Sequence, residues 1–170
     1  GGSYYASIEG FFAKISKDGQ SLIEGSYYGT DQYDQIYFIR EDRKGQVYVY
    51  GQSFKFGSSF VENATFSNPN SSGILTKFNT AVDTVVWSTM FGGSDFRIGI
   101  SPTAFMVDLC NKVYLSGYGR VFGYPTTVGA FQTTTANNDF YFMVLEDDAS
   151  AVHYATYFGG NLSAEHVDGG

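Results

Sequence analysis

Short stretches of apolar and aromatic residues recur along the chain between polar, glycine-containing turns. Residues 11–15 and 21–28 flank Lys17-Asp18-Gly19, in which Asp and Gly tolerate the positive φ of a tight turn. This arrangement predicts a β-hairpin. The same pattern predicts strands over residues 11–15, 21–28, 34–41, 47–51, 74–78, 84–91, 99–109, 113–117, 139–145 and 151–158.

A strand that ends in a glycine turn occurs three times. The copies are Ala155-Thr156-Tyr157-Phe158-Gly159-Gly160, residues 88–93 and, in degraded form, residues 25–29. Gly29 and Gly92 are 63 residues apart, and Gly92 and Gly159 are 67 apart. A period of this size indicates a repeat architecture. We therefore divide the chain into a connector, two repeats that each end in a long connector, and the start of a third, over residues 1–10, 11–72, 73–138 and 139–170.

Each repeat contains four predicted antiparallel strands, which is the pattern of a β-propeller blade. The predicted fold is therefore all-β, with about two and a half blades forming part of a ring. A β-sandwich with similar strands is the alternative, but it does not predict a matched glycine turn in every repeat. A partial ring needs further blades from sequence outside these residues, or a partner. We expect the chain to be a segment of a longer protein.

Composition supports a strand-rich, ordered chain. Aromatic residues make up 18% and charged residues 16%, with 21 glycines, which disfavours disorder. The net charge of -7 and the lack of a Lys/Arg cluster argue against nucleic-acid binding. The one cysteine, Cys110, excludes an internal disulfide, and we expect a half-buried structural thiol in a turn. No apolar run is long enough to span a bilayer, and no signal peptide is visible.

Four segments of the second half resemble the SBBP-type (seven-bladed β-propeller) repeat. They are Val113-Tyr114-Leu115-Ser116-Gly117, residues 124–134 with their Pro-Thr-Thr and Gly-Ala-Phe-Gln pieces, residues 139–145, and residues 154–160. The connector at 54–72 lacks both pieces. The resemblance implies a secreted or cell-surface protein of Bacteroidetes-like bacteria, exported by a type IX route and serving adhesion or gliding motility. It implies no shared catalytic residues.

The titratable residues do not form a recognisable catalytic pattern. His153 and His166 lack the spacing of a zinc enzyme, and we interpret His153 as an ordinary strand side chain. The acidic pairs Asp147-Asp148 and Glu41-Asp42 fall in predicted turns, where solvated carboxylates are expected. We therefore predict no catalytic, cofactor-binding or metal site.

A weak surface calcium site would use Asp31 with Asp34, or Asp95. The spacing of a calcium loop is absent around all three carboxylates. The glycine pairs 92–93 and 159–160 have no phosphate-binding sequence around them. We expect them to serve the backbone, through positive φ or close approach.

Many aromatic residues lie near predicted connectors or strand ends, where they either bind sugars or bases or fill the space between blades; we favour the second interpretation. They are Tyr4, Tyr5, Tyr27, Tyr28, Tyr33, Phe54, Phe56 and Phe60. Asn63, Asn70 and Asn161 begin N-glycosylation triplets, and Asp83-Thr84-Val85 is similar to a short O-glycosylation pattern of Bacteroidetes surface proteins.

The hypothesis that these patterns favour is a non-enzymatic scaffold or binding module of an extracellular or cell-surface protein. Its partner would be a protein, a surface polysaccharide, or the remaining blades. Two alternatives stay open. A polysaccharide-active enzyme would need carboxylates that meet in a central pocket. A secretion cargo captured by its translocon would explain an incomplete ring.

Overall fold

The computed structural model describes residues 8–94, 96–136 and 138–160. Within these residues the protein is all-β and contains no α-helix; one 3-10 turn spans Ser58–Phe60. The strands are β1 (Gly10–Ile15), β2 (Leu22–Tyr28), β3 (Asp34–Glu41), β4 (Val47–Ser53), β5 (Gly73–Phe78), β6 (Val85–Phe91), β7 (Ile100–Val107), β8 (Val113–Gly119), β9 (Asp139–Leu145) and β10 (Val152–Phe158).

The strands form three open antiparallel sheets, and none closes into a barrel. The first sheet is the hairpin β1–β2, the second is the meander β3-β4-β5-β6, and the third is the meander β7-β8-β9-β10. Pro102 lies in β7, which is an edge strand, so its missing N–H does not interrupt a central ladder. The all-β prediction is confirmed, and every predicted strand has an observed counterpart.

The sheets are offset from the sequence repeats by two strands. The connector 54–72 joins β4 to β5 inside the second sheet, and the connector 120–138 joins β8 to β9 inside the third. The ranges 11–72 and 73–138 thus describe sequence repeats rather than sheets. As domain boundaries they stay a prediction.

Tight turns join the hairpin strands at one end of each sheet. Two of these turns repeat the same device 66 residues apart. The Asp42 carboxylate accepts hydrogen bonds from the amides of Lys44 and Gln46, and the Asp108 carboxylate accepts them from Cys110 and Lys112. Such side chain to backbone bonds fix a turn locally. The long connectors lie at the opposite end of the strands, because successive strands of a meander alternate in direction.

The three sheets stack face to face in chain order. We call the face of a sheet that looks toward the next sheet its front face and the opposite one its back face. Phe12 of the first sheet packs on Phe78 of the second, with Val47 and Val49 in the same buried cluster. On the other side of β4, Tyr50 packs on Phe105 of the third sheet. Alternate residues of β4 thus bury both of its faces.

Both long connectors cover the outer edge of the fourth strand of their sheet. Glu62 and Ser88 exchange two backbone hydrogen bonds of 3.0 and 2.8 Å beside β6. Beside β10, the Thr127 amide donates to the Ala155 carbonyl, and the Tyr157 amide donates to the Gln132 carbonyl. These bonds protect strand edges that would otherwise pair with other chains.

Candidate interaction surfaces

The exposed face at each end of the stack carries apolar residues. The equivalent positions in the sheet interfaces within the stack are buried. The strand pairing defines these equivalent positions: Val47 opposite Phe78 in β4–β5 corresponds to Val113 opposite Leu145 in β8–β9. Leu75, on the front face of the second sheet, is fully buried. Its equivalent on the third sheet, Phe142, is 40% exposed.

An aromatic row forms the exposed front face of the third sheet. Ring centroids lie 5.8 Å apart for Phe131 and Phe158, and 6.4 Å apart for Phe158 and Phe142. Phe140 continues the row at 6.5 Å from Phe142, and Tyr118 follows at 6.5 Å from Phe140. A shallow groove of about 260 Å³ lies on the same face around Met106 and Phe142. Exposed apolar patches of this kind mark interaction surfaces.

The back face of the first sheet is apolar as well. Phe11 is 70% exposed, whereas its equivalent in β5, Ile74, is buried. Tyr27 is exposed, and its equivalent in β6, Met90, is buried. A groove of about 410 Å³ runs between these side chains.

The first sheet covers only part of the second sheet, because it has two strands where the others have four. Ile39 on the back face of β3 is 46% exposed. Its equivalent in β7, Phe105, is 5% exposed because it packs on Tyr50 of the sheet before it. A groove of about 280 Å³ occupies this uncovered region and is lined by Phe12, Ile39 and Val47 among others.

Polar contacts connect the second and third sheets around Asp147. Its carboxylate lies 2.5 Å from the Lys77 ammonium and accepts a 2.9 Å hydrogen bond from the Tyr48 hydroxyl. The Trp87 indole donates to the Asp147 carbonyl at 2.7 Å. Burial, reinforced by the hydrogen bond to Asp147, raises the pKa of Tyr48 far above its usual range. Asp147 therefore lies in the predicted turn and is partly exposed, but its carboxylate also makes inter-sheet contacts that the prediction of a solvated carboxylate did not include.

The neighbouring acidic residues behave as expected for turns. Asp148 is exposed and accepts a bond from the Ser150 amide. Glu41 is exposed, and Asp42 serves its own turn.

A second aromatic chain lies at the connector end. Tyr33 and Phe54 are 5.7 Å apart, Phe54 and Phe56 are 6.4 Å apart, and Phe56 and Phe96 are 5.4 Å apart between centroids. Phe96 is exposed and has a φ of 53°. The sequence reasoning missed Phe96, although its position in a connector beside Gly92-Gly93 was the same signal that identified the others.

The other predicted aromatic residues have different positions. Tyr28 and Phe60 pack 5.5 Å apart between the first two sheets, as the favoured interpretation expected. Tyr27 is exposed on the first sheet. Tyr4 and Tyr5 lie outside the described residues.

The segments that resemble the SBBP-type repeat hold the connector 120–138 against its own sheet through hydrogen bonds. The Gln132 side chain accepts a 3.1 Å bond from the Gly159 amide and donates to the Thr134 carbonyl at 2.7 Å. The Tyr141 hydroxyl donates to the Pro125 carbonyl. The connector 54–72 lacks these pieces, but the Asn68 side chain contacts the equivalent glycine in the opposite sense, by donating a 2.8 Å bond to the Gly92 carbonyl.

Gly92 and Gly93 serve the backbone as expected, and for residues 159–160 this role stays a prediction. Gly92 has a φ of 136°, and a Cβ on Gly93 would lie 2.0 Å from the Phe122 carbonyl oxygen. Gly159 is held by Gln132. Cys110 is exposed in its turn, so the expectation of a half-buried thiol is wrong. The Asp108 carboxylate fixes this turn through the Cys110 amide, so the thiol itself makes no contribution to it.

The histidine and calcium candidates do not come together in a site. His153 lies 2.9 Å from Glu146, which also binds Lys112 at 2.7 Å. The Lys112 hydrogen bond is the main reason why the pKa of Glu146 is lowered. His166 lies outside the described residues.

Among the calcium candidates, Asp31 pairs with Lys55 at 2.6 Å, and Asp34 is buried with its carboxylate bonded to Thr30. Asp95 is outside the described residues. In the part of the chain that the structure describes, no three His, Cys, Asp or Glu side chains are arranged to hold a metal ion.

The glycosylation candidates are surface residues where they are described. Asn63 and Asn70 are exposed, and Asn63 donates a hydrogen bond to the Val86 carbonyl at 3.2 Å. Asp83 is a turn residue bonded to Asn79. Asn161 lies outside the described residues.

A comparison with protein-family models finds no match for this chain. A search of curated proteins also finds no match. Helices able to cross a membrane are absent from the described residues. The geometry therefore defines an all-β stack with two apolar end faces and an aromatic connector end.

Proposed function

We propose that this chain is a non-enzymatic scaffold and binding module whose sheets are blades of a β-propeller. The observation that supports this best is the repeated stacking: the two four-stranded sheets have the same topology, and both interfaces of the stack bury apolar side chains from the facing sheets. A four-stranded sheet with two apolar faces is stable only between neighbours, as is general for repeat proteins. The apolar end faces then contact further blades.

Recognition by this module takes place at the connector end. Loops on a rigid scaffold commonly carry binding residues, and here that end presents the chain of Tyr33, Phe54, Phe56 and Phe96. The partner is a protein or a surface polysaccharide. In line with the resemblance of residues 113–160 to the SBBP-type repeat, we place the protein at the surface of a Bacteroidetes-like bacterium, exported by a type IX route and serving adhesion or gliding.

Cryo-electron microscopy of the full-length polypeptide tests the propeller. A closed ring of stacked four-stranded sheets is the expected result, whereas a two-sheet sandwich or a linear stack would contradict it. Binding of the purified chain to cell-envelope polysaccharide and surface proteins of its source tests recognition. Phe56→Ser should weaken that binding about tenfold or more. Leu109→Ser, in an exposed turn at the end opposite the connectors, is the matched control and should not.

A further inference from the structure

The first sheet is half of the unit that the other two sheets complete. Gly10 opposite Tyr28 in β1–β2 corresponds to Gly73 opposite Phe91 in β5–β6. β1 is therefore the equivalent of β5, and β2 of β6. In the second sheet, β5 also pairs on its other side with β4, from Gln52 opposite Gly73 to Val47 opposite Phe78.

The corresponding edge of β1 has no strand beside it among the described residues. It presents a row of backbone donors and acceptors over Gly10–Ile15, the length over which β5 pairs with β4. Such an edge is a template for strand addition.

The groove beside this edge shows what the missing strands would cover. Between the second and third sheets, Phe105 is buried because Tyr50 of β4 packs on it and Phe38 of β3 stacks beside Tyr50 in the same cluster. Between the first and second sheets, Ile39 occupies the position of Phe105 and is exposed. The groove of about 280 Å³ along Phe12 and Ile39 is continuous with the interface that Phe12 already forms with Phe78.

We infer that the free edge of β1 and the groove over Ile39 together bind a two-stranded β-hairpin of the β3–β4 type. One strand of this hairpin pairs with β1, and its aromatic side chains cover Ile39. The occupant is a strand pair of the same repeat rather than a second copy of this chain. In a second copy, the pairing edges of β4 and β8 are occupied by β5 and β9. A helix pairs its own backbone groups internally and cannot extend the ladder of β1. The inference rests on the proposed blade architecture and deepens it.

The experiment supplies that hairpin in cis. A copy of residues 33–72, which contains β3, β4 and their connector, replaces residues 1–9 ahead of Gly10 of the otherwise unaltered chain. Amide hydrogen exchange of residues 11–15 is compared between this fusion and the parent chain. We expect exchange in β1 to slow at least about tenfold. A matched fusion carries prolines in the copied strand at the positions copied from Tyr48 and Val49. Because proline has no backbone N–H, this strand cannot pair with β1, and the amides of residues 11–15 should exchange at the parental rate.

A second readout reports on the groove. Ile39→Ser in the original β3 should shift the urea midpoint little in the parent, where the side chain is exposed, and strongly in the fusion, where it is covered. Unchanged β1 exchange in the fusion overturns the inference, whether the added hairpin stays unfolded or docks elsewhere. Slowed exchange without a ring in cryo-electron microscopy removes the propeller and leaves the inference standing. A closed ring in cryo-electron microscopy without slowed exchange in β1 supports the propeller and overturns the inference.

Discussion

Removal of the Asp147 carboxylate is the sharpest test of the stacked arrangement. Lys77 comes from the second sheet, and its side chain is only 5% exposed, whereas Asp147 of the third sheet is 39% exposed. Asp147→Ala leaves the buried ammonium without its counter-charge and removes an acceptor from the Tyr48 hydroxyl. Lys77→Met removes the charge that needs compensation and keeps the apolar stem. The two substitutions should therefore have unequal effects.

The expected magnitude lies between two limits. Breaking an exposed ion pair costs about 0–1 kcal/mol, and uncovering a buried charge costs about 3–5 kcal/mol. With one partner buried and the other half-exposed, we expect Asp147→Ala to lower the free energy of unfolding by about 2–3 kcal/mol. Lys77→Met should change it by less than about 1 kcal/mol, and adding it to Asp147→Ala should restore most of the loss.

Urea denaturation followed by tryptophan fluorescence measures these differences. Trp87 is the only tryptophan, and its indole donates to the backbone carbonyl of Asp147, which both substitutions retain. The signal therefore comes from the interface itself, and unchanged m-values would show that midpoints report stability. Asp148→Ala, in the same turn but facing solvent, is the matched control and should cost less than about 1 kcal/mol. A larger loss from Lys77→Met than from Asp147→Ala would refute the reasoning.

Three further experiments test the close packing of a strand glycine, the connector and the pH response. Gly51→Ala should cost more than about 2 kcal/mol in urea denaturation, because its Cβ would lie 2.1 Å from a backbone carbonyl oxygen; Gly25→Ala, whose nearest neighbours are 3.7 Å away, should change stability by less than about 1 kcal/mol. Gln132→Ala should cost about 1 kcal/mol and speed exchange of the Gly159 amide; unchanged exchange would contradict the role of this side chain. Since a lysine hydrogen bond lowers the pKa of Glu146, its contribution is complete above the ordinary carboxyl pKa of 4.5 and is lost as the pH falls through the folded value. Glu146→Gln should therefore destabilise at neutral pH and progressively less in acid, and a constant difference in thermal midpoint across that range would contradict this.

The positions of the strands could be predicted from the sequence because each is an apolar run between turn residues. Predicted and observed strands share both ends at 34–41 and 139–145, and elsewhere differ by a few residues. The grouping of strands into sheets could not be read in the same way. A period gives the length of a repeat but not where a sheet begins along it, so the sequence places the connector 54–72 between two units. In the structure this connector joins two adjacent strands of one sheet, β4 and β5, and on the way bonds the outer edge of that sheet at β6.

The contacts of Asp147 were also beyond sequence reasoning. A carboxylate in a turn is normally solvated, and nothing local distinguishes Asp147 from Asp148. The difference arises because the turn of the third sheet lies over Lys77, which is 70 residues earlier in the chain. Lys77 itself interrupts the apolar strand Gly73–Phe78, and a cation inside a buried strand is a signal that an acidic partner lies on the facing element.

The hydrogen bonds between the long connectors and the outer strands reverse the usual advice for engineering this protein. Fusion tags and inserted peptides normally go into the longest loops, since these tolerate extra residues best. Here an insertion near Glu62, Thr127 or Gln132 would strip the cover from a sheet edge. The short turn at residues 17–19 is the better site for a label or an affinity tag, because it is exposed and its backbone hydrogen bonds stay within the turn and cover no sheet edge.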